Sequence, residues 1–168
     1  MIVAVRDEIS QLDQVVQRFA VSGVMASYAA GVDLRDWELV ESCFAPDAQV
    51  HGTKMSADFG TYFPFLCAEL EKFERTVHFL GNQRCRLAAD SAWLETYAIA
   101  RHFWTESGSP RQLTLSVRYR DDLRFASQGW VIARRVVELD WTDNSPPGPG
   151  LQWTVPNATC IAGAERPE

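Results

Sequence analysis

No cluster of lysines and arginines occurs anywhere in the chain, and 16 Lys+Arg against 22 Asp+Glu leave a net charge of −6. That balance speaks against a nucleic-acid partner, which needs a basic patch or stripe. No apolar run approaches the roughly 20 residues of a membrane span. The first seven residues also lack the apolar stretch of a secretory leader. Four cysteines (Cys43, Cys67, Cys85 and Cys160) are scattered without a C-x-x-C pair. This fits reduced thiols and a cytoplasmic location better than a disulfide framework or a zinc site. The histidines, His51, His78 and His102, lie far apart, and neither H-E-x-x-H nor H-x-H occurs, so no metal is expected. Gly-rich phosphate loops and internal repeats are absent too, which removes the usual nucleotide-binding motifs and the solenoid architectures.

What remains is an ordinary globular composition. With 168 residues, 46% hydrophobic and 23% charged, one domain with a sizeable core is the simplest expectation. Residues 7–32 carry apolar side chains near helical spacing (Ile9, Leu12, Val15, Val16, Phe19, Val24, Met25, Tyr28) and predict a long helix that Gly31 would end. Asp36 reads as the N-cap of a short helix over 37–44, and residues 48–52 as a short strand. Residues 56–73 predict a third helix, interrupted or initiated at Pro64. Its apolar residues Phe59, Tyr62, Phe63 and Leu66 could line a cavity or fill a core.

From residue 76 the hydrophobic period changes to two. Segments 76–88, 92–106, 111–124 and 129–141 predict four long strands joined by short Gly, Ser, Asp and Pro connectors. Connectors that short imply antiparallel hairpins, and strands that long curl when one face packs on helices. The fold class is therefore α+β: three N-terminal helices covering the concave face of a long curved antiparallel sheet. Residues 1–141 form the domain. The Pro- and Gly-rich residues 142–168 form an arm, with apolar residues in 151–161 that could dock.

Five stretches carry a resemblance. They are Tyr28-x4-Asp33-x2-Asp36-Trp37, Phe44-Ala45-Pro46-Asp47-Ala48, Val77-His78-Phe79-Leu80-Gly81-Asn82, Arg118-Tyr119-Arg120-Asp121 and Gly129-Trp130-Val131-Ile132-Ala133-Arg134-Arg135. In these the chain resembles the nuclear-transport-factor-two-like superfamily and, within it, the SnoaL-like group that includes scytalone dehydratase, bile acid 7α-dehydratase and ketosteroid isomerase. The resemblance implies a cone-shaped α+β barrel, a homodimer, a site inside the cone, and no cofactor. It also implies that Asp33 orients His78 as a general base. Tyr28 and His102 would serve the carbonyl and leaving-group side, and Ser116 would contact substrate. Strand alternation puts Asn82, four residues after His78, on the same face, where it could be a polar contact in the pocket.

The chemistry of those residue types agrees. A neutral imidazole is the side chain best matched to proton transfer near pH 7, and a carboxylate on its other nitrogen fixes the tautomer. A phenol can hydrogen-bond an oxygen on which negative charge builds. Each residue also has a plain structural alternative: Asp33 as a helix cap, His78 as a satisfied core histidine, Tyr28 as a packing anchor, His102 on the outer face, Asn82 as a ladder residue. The expected activity is a cofactor-independent dehydratase acting on a small hydrophobic cyclic hydroxy-carbonyl compound. Isomerisation or cyclisation of a polyketide- or steroid-like substrate, or ligand binding without catalysis, are the alternatives.

Overall fold

A computed structural model describes residues 11–148 together with Gln152 and Trp153. The expected helix start near residue 7, and all of the arm's apolar stretch except these two residues, lie outside the described residues. Helix α1 (Gln11–Leu34) buries Val21, Met25, Tyr28, Ala29 and Val32, the spacing of one helical face. The apolar residues of its first turns, Leu12, Val15, Val16 and Phe19, remain exposed.

Gly31 does not end α1; it lies inside it. The helix ends where Arg35 turns left-handed, at φ +59°. There the Arg35 N–H donates to the Val32 carbonyl (3.3 Å) and the Asp36 N–H to the Gly31 carbonyl (2.9 Å). This is the Schellman pattern, with an arginine where glycine is usual. The left-handed conformation costs a non-glycine residue about 1–2 kcal/mol. Gly31 is needed for a different reason. A Cβ there would meet Val40 Cγ2 at 2.8 Å and the Asp36 carbonyl at 3.1 Å, so its absence lets the next helix close onto α1.

That helix, α2 (Trp37–Ser42), is capped by Asp36 as expected: its carboxylate accepts from the Leu39 N–H at 3.0 Å. Strands β1 (Phe44–His51) and β2 (Ser56–Asp58) pair antiparallel. Helix α3 (Phe59–Leu70) starts on Asp58, which accepts from the Thr61 N–H at 3.0 Å. Pro64 neither starts nor interrupts it. Its missing N–H costs one bond, to the carbonyl of Gly60, while the cap fixes the helix start before it.

Strands β3 (Arg75–Leu87), β4 (Ser91–Glu106), β5 (Ser109–Ala126) and β6 (Gly129–Asp143) form the expected antiparallel meander. Ser107 (φ +51°) and Gly108 (φ +76°) make the β4–β5 turn, both left-handed as a two-residue hairpin turn of type I′ requires. Strand β1 adds parallel to β6, so the sheet is mixed and runs β2-β1-β6-β5-β4-β3 without closing.

The two sheet faces differ. On β4 the residues Ala92, Leu94, Thr96, Ala98, Ala100 and His102 alternate into the concave, helix-covered side. On the outer side, residues in register across four strands form one row: Phe79 opposite Ile99, Ile99 opposite Ser116, and Ser116 opposite Trp141. Phe79 is 71% exposed and Trp141 50%. Near the start of β3 and the end of β4, Trp153 packs on Phe103 (5.3 Å between ring centroids) and donates to Glu74 at 3.0 Å. Among the described residues no helix is long and apolar enough to cross a membrane.

Two outcomes are expected. Gly31→Ala should destabilise the fold by about 1–3 kcal/mol, the usual cost of overpacking, read as a lower urea midpoint at unchanged slope. The outer apolar row should be covered by a second copy of the chain. Light scattering at micromolar concentration should give a dimer mass, and Phe79→Glu combined with Trp141→Glu a folded monomer; a monomeric wild type would refute the dimer.

Candidate active site

Between α1, α3 and the concave face lies a cavity of about 360 Å³, at the small end of ligand pockets. Leu66 and Leu70 from α3, Val32 from α1, and Leu113, Leu115 and Val117 from β5 supply most of its apolar wall. Tyr28, Tyr62, His78, His102 and Tyr119 bring polar atoms to it.

Asp33 and His78 meet at this wall. His78 Nδ1 lies 2.7 Å from Asp33 Oδ1, the His78 backbone N–H donates to Oδ2 at 2.7 Å, and Thr76 Oγ1 donates to Oδ1 at 3.0 Å. The α1 terminus delivers the carboxylate and the first residues of β3, Thr76 and His78, deliver all three donors. Burial by itself would raise the Asp33 pKa. The hydrogen bonds from His78 and Thr76, with the His78 charge, outweigh it and hold the carboxyl below the usual range. An ionised Asp33 accepts only, so His78 Nδ1 carries a proton, and in the neutral ring Nε2 is then the acceptor. The imidazole is 5% exposed.

His102 is 6% exposed and sits across from His78, their ring centroids 6.2 Å apart, with Phe73 tilted against it at 4.6 Å. Burial, and then the neighbouring His78, push its pKa down to about 4. It is therefore neutral at pH 7. Nδ1 is buried and has no hydrogen-bond partner among the described residues. A neutral ring holds one proton, so Nδ1 can be the nitrogen that accepts. The ring lies on the concave face, not the outer one.

Tyr28 also lines the cavity, and behind it lies a feature that the sequence did not announce. Arg135, 1% exposed, forms a two-pronged ion pair with Asp121, Nε to Oδ1 and Nη2 to Oδ2, each 2.7 Å. Its guanidinium carbon lies 4.1 Å from the Tyr28 ring centroid, 4.8 Å from that of Tyr119 and 5.1 Å from that of Phe44. Burial opposes the charge, but Asp121 outweighs it and holds the Arg135 pKa above its ordinary value. Burial also keeps both phenols protonated, Tyr28 well above the usual tyrosine value. The cavity thus has neutral hydroxyl donors backed by a fixed cation.

Of the other candidates, Tyr62 and Leu66 line the cavity, while Phe59 and Phe63 do not. Phe59 stacks on Phe44 (4.4 Å) and on Phe63 (5.2 Å), and Phe63 meets Trp37 edge-on at 6.5 Å. They form an aromatic pack beneath the helices. Asn82 is exposed and outside the lining. The expectation of a shared face with His78 assumed an unbroken alternation, but the β3–β4 register shifts between Leu80 and Gln83. After that shift Gln83 faces Thr96 on the concave side (3.1 Å) and Asn82 turns outward. Ser116 lies one residue out of phase with the lining residues Leu115 and Val117 and belongs to the outer row. Tyr119, Asp121 and Arg135 were quoted above only as parts of motifs. Their in-register pairing, Asp121 opposite Arg135, is the signal that could have found them. Among the described residues no group of three or more His, Cys, Asp or Glu side chains converges as a metal site.

A model of the SnoaL-like domain matches residues 13–136. An uncharacterised protein of Mycobacterium tuberculosis is 26% identical over 127 residues, spanning 73% of this chain and 85% of that protein. Among solved structures, a candidate scytalone dehydratase from Novosphingobium aromaticivorans superposes with a TM-score of 0.71 at 19% identity, covering 83% of this chain and 97% of that one. The type-3 hexachlorocyclohexane dehydrochlorinase from Novosphingobium barchaimii superposes with a TM-score of 0.72 at 15% identity, covering 88% and 100%. At these identities the superpositions establish the fold.

The depressed pKa of His102 makes stability depend on pH. The unfolded chain takes up its proton below the ordinary value of 6.5, the folded chain only below about 4. Between those values the unfolded state binds more protons, so stability falls as pH falls. At about 1.4 kcal/mol per pH unit the loss by pH 4 is on the order of 2–3 kcal/mol. Asp33, with a lowered carboxyl pKa, contributes its loss only at still lower pH. Denaturant unfolding between pH 7 and 4 should show the decline, and His102→Gln should flatten it.

Proposed function

This chain belongs to the SnoaL-like domain family, and on that footing we propose that it is a cofactor-independent lyase. Its substrate would be a small, mostly apolar cyclic compound bearing a hydroxyl β to a carbonyl, or the vinylogue, from which it removes water. The observation that carries this reading is the 2.7 Å contact of ionised Asp33 with His78 Nδ1 at the wall of an apolar cavity.

In the proposed reaction His78 Nε2 takes the proton next to the carbonyl. The C–H electron pair moves into the ring and builds negative charge on the carbonyl oxygen, which the Tyr28 phenol meets with a hydrogen bond. Asp33 stabilises the imidazolium that forms. The charge then returns, the carbon–oxygen bond to the β-hydroxyl breaks, and His78 gives its proton to the departing hydroxide. The atoms balance as one alkene and one water. His102 would serve the leaving-group side as a hydrogen-bond acceptor. Neutral, with an Nδ1 that has no partner among the described residues, it would accept a hydrogen bond from the substrate hydroxyl and hold it near His78. Positioning and one oriented base supply the catalysis, on the order of 10²–10⁴-fold for the proton transfer itself.

A screen of hydroxy-ketones by mass spectrometry, scored for loss of one water, tests the reaction. Isomerisation or cyclisation would instead leave the mass unchanged. On the substrate found, His78→Ala should lower turnover about 10²–10⁴-fold. Asp33→Asn should lower it comparably, with circular dichroism unchanged in both. The double variant should be little worse than His78→Ala alone, since the two side chains act as a unit. Full turnover in both single variants would sink the assignment.

A further inference from the structure

Arg35 is conformationally expensive and densely bonded. It holds φ at +59° in a position that suits glycine, and its guanidinium reaches back over the site. Nη1 donates to the Val32 carbonyl (2.5 Å) and to Thr76 Oγ1 (2.9 Å); Nη2 donates to the carbonyls of Leu70 (2.9 Å) and Phe73 (3.3 Å). The Val32 and Leu70 carbonyls belong to the last turns of α1 and α3 and each also accepts one backbone N–H, while Phe73 lies in the loop before β3, so one cation ties the two helix ends together. The fourth contact has another consequence. Arginine can only donate. Thr76 Oγ1 must therefore accept from Arg35, and its own proton is directed elsewhere. The acceptor within reach is Asp33 Oδ1 at 3.0 Å.

We infer that Arg35 is a positioning residue for the Asp33–His78 pair. By fixing the direction of the Thr76 hydroxyl, it makes Thr76 an obligatory donor to Asp33. The carboxylate then receives three hydrogen bonds, from Thr76 Oγ1, His78 N and His78 Nδ1. It is held ionised in one orientation, and His78 is held as the Nδ1–H tautomer with Nε2 as the acceptor. Thr76 is 1% exposed, so no water competes for its hydroxyl. The role of this relay in catalysis rests on the reading of His78 as the base; the relay itself does not.

The charges around the pair are few. His78 on β3 and Arg35 face Asp33 directly, with His102 on β4 and Tyr119 on β5 also in its field. Arg35 in turn faces Glu71 and Cys67 at the end of α3. The lowered carboxyl pKa of Asp33 carries contributions from His78 and from the Thr76 hydrogen bond, as a three-donor carboxylate should.

The test needs no substrate. In protein labelled with 15N at histidine and 13C at aspartate, NMR reads the tautomer of His78 and the titration of Asp33. Wild type should show His78 as the Nδ1–H form. Thr76→Val removes the hydroxyl at nearly constant shape, and Arg35→Gly removes the guanidinium while suiting the left-handed turn. Both should raise the Asp33 titration midpoint and weaken the Nδ1–H signal. Thr76→Ser should restore both readouts. The Arg35→Gly, Thr76→Val double variant should shift the midpoint little further than either alone. If Thr76→Val leaves the midpoint and the tautomer at their wild-type values, the relay is refuted and any Arg35 effect is through-space charge. If Arg35→Gly lowers the melting temperature without moving either signal, Arg35 is a helix strap only. Should Arg35→Gly fail to fold, the Thr76→Val and Thr76→Ser pair still decides. Because turnover is not read, failure of the dehydratase reading would leave these outcomes untouched.

Discussion

The buried pairing of Arg135 with Asp121 is the constraint around which this core is built. Two full charges, each about 1% exposed, have left water, which is tolerable only because both prongs of the pair are made at 2.7 Å. Four elements meet there: α1 through Met25 and Tyr28, β1 through Phe44, β5 through Tyr119 and Asp121, and β6 through Arg135. The aromatic faces turned toward the guanidinium are electron-rich, so each adds cation–π attraction where water is absent. Removing either partner would leave an unpaired buried charge, a loss of about 3–5 kcal/mol. One guanidinium nitrogen, Nη1, has no partner among the described residues. Pairing is thus nearly but not fully satisfied at the centre of the fold.

From that centre α1 runs to the second charged cluster. Tyr28 lies against Arg135, and Asp33, at the same helix's end, lies against His78. The cavity sits between them, so polarity is graded along one helix. At one end are protonated phenols backed by a cation; at the other is the imidazole that would be the base of the proposed reaction. Such an arrangement favours movement of negative charge from the His78 side toward the Tyr28 side, which is the direction a proton abstraction next to a carbonyl requires. The apolar wall between the ends keeps the local dielectric low and gives each of these groups more influence than it would have in water.

Much of this was legible before any coordinates. The change of hydrophobic period near residue 76 placed the four long strands to within a few residues, and Asp36 announced α2 by its capping chemistry. The family-like spacing of Tyr28, Asp33 and His78 selected two residues that the fold then brings to one cavity, Tyr28 and His78, and a third, Asp33, that it sets against His78. Errors arose where a local rule met a tertiary demand. Gly31 reads as a helix stop because glycine usually supplies the left-handed turn, but here close approach of Val40 claims it and Arg35 takes the turn instead. Asn82 reads as a partner of His78 because strands alternate, but a register shift after Leu80 reverses the phase. Phe59 and Phe63 cannot be told from lining residues by sequence, because helical spacing gives a face and not its neighbour.

By itself, then, the sequence determined which segments are helix and which are strand, and that the long strands pair as hairpins. These follow from period, capping and connector length, all local properties. Only the tertiary structure decided that Thr76 and Arg35 stand behind Asp33, that Asp121 and Arg135 are buried together, that His102 is neutral with an Nδ1 that has no partner among the described residues, and that β1 joins β6 in parallel. Those depend on contacts between residues some 14 to 90 positions apart or on the desolvation that packing imposes. A protonation state in particular is set by the water that is excluded and the charges brought near, and neither is written in the spacing of residues along a chain.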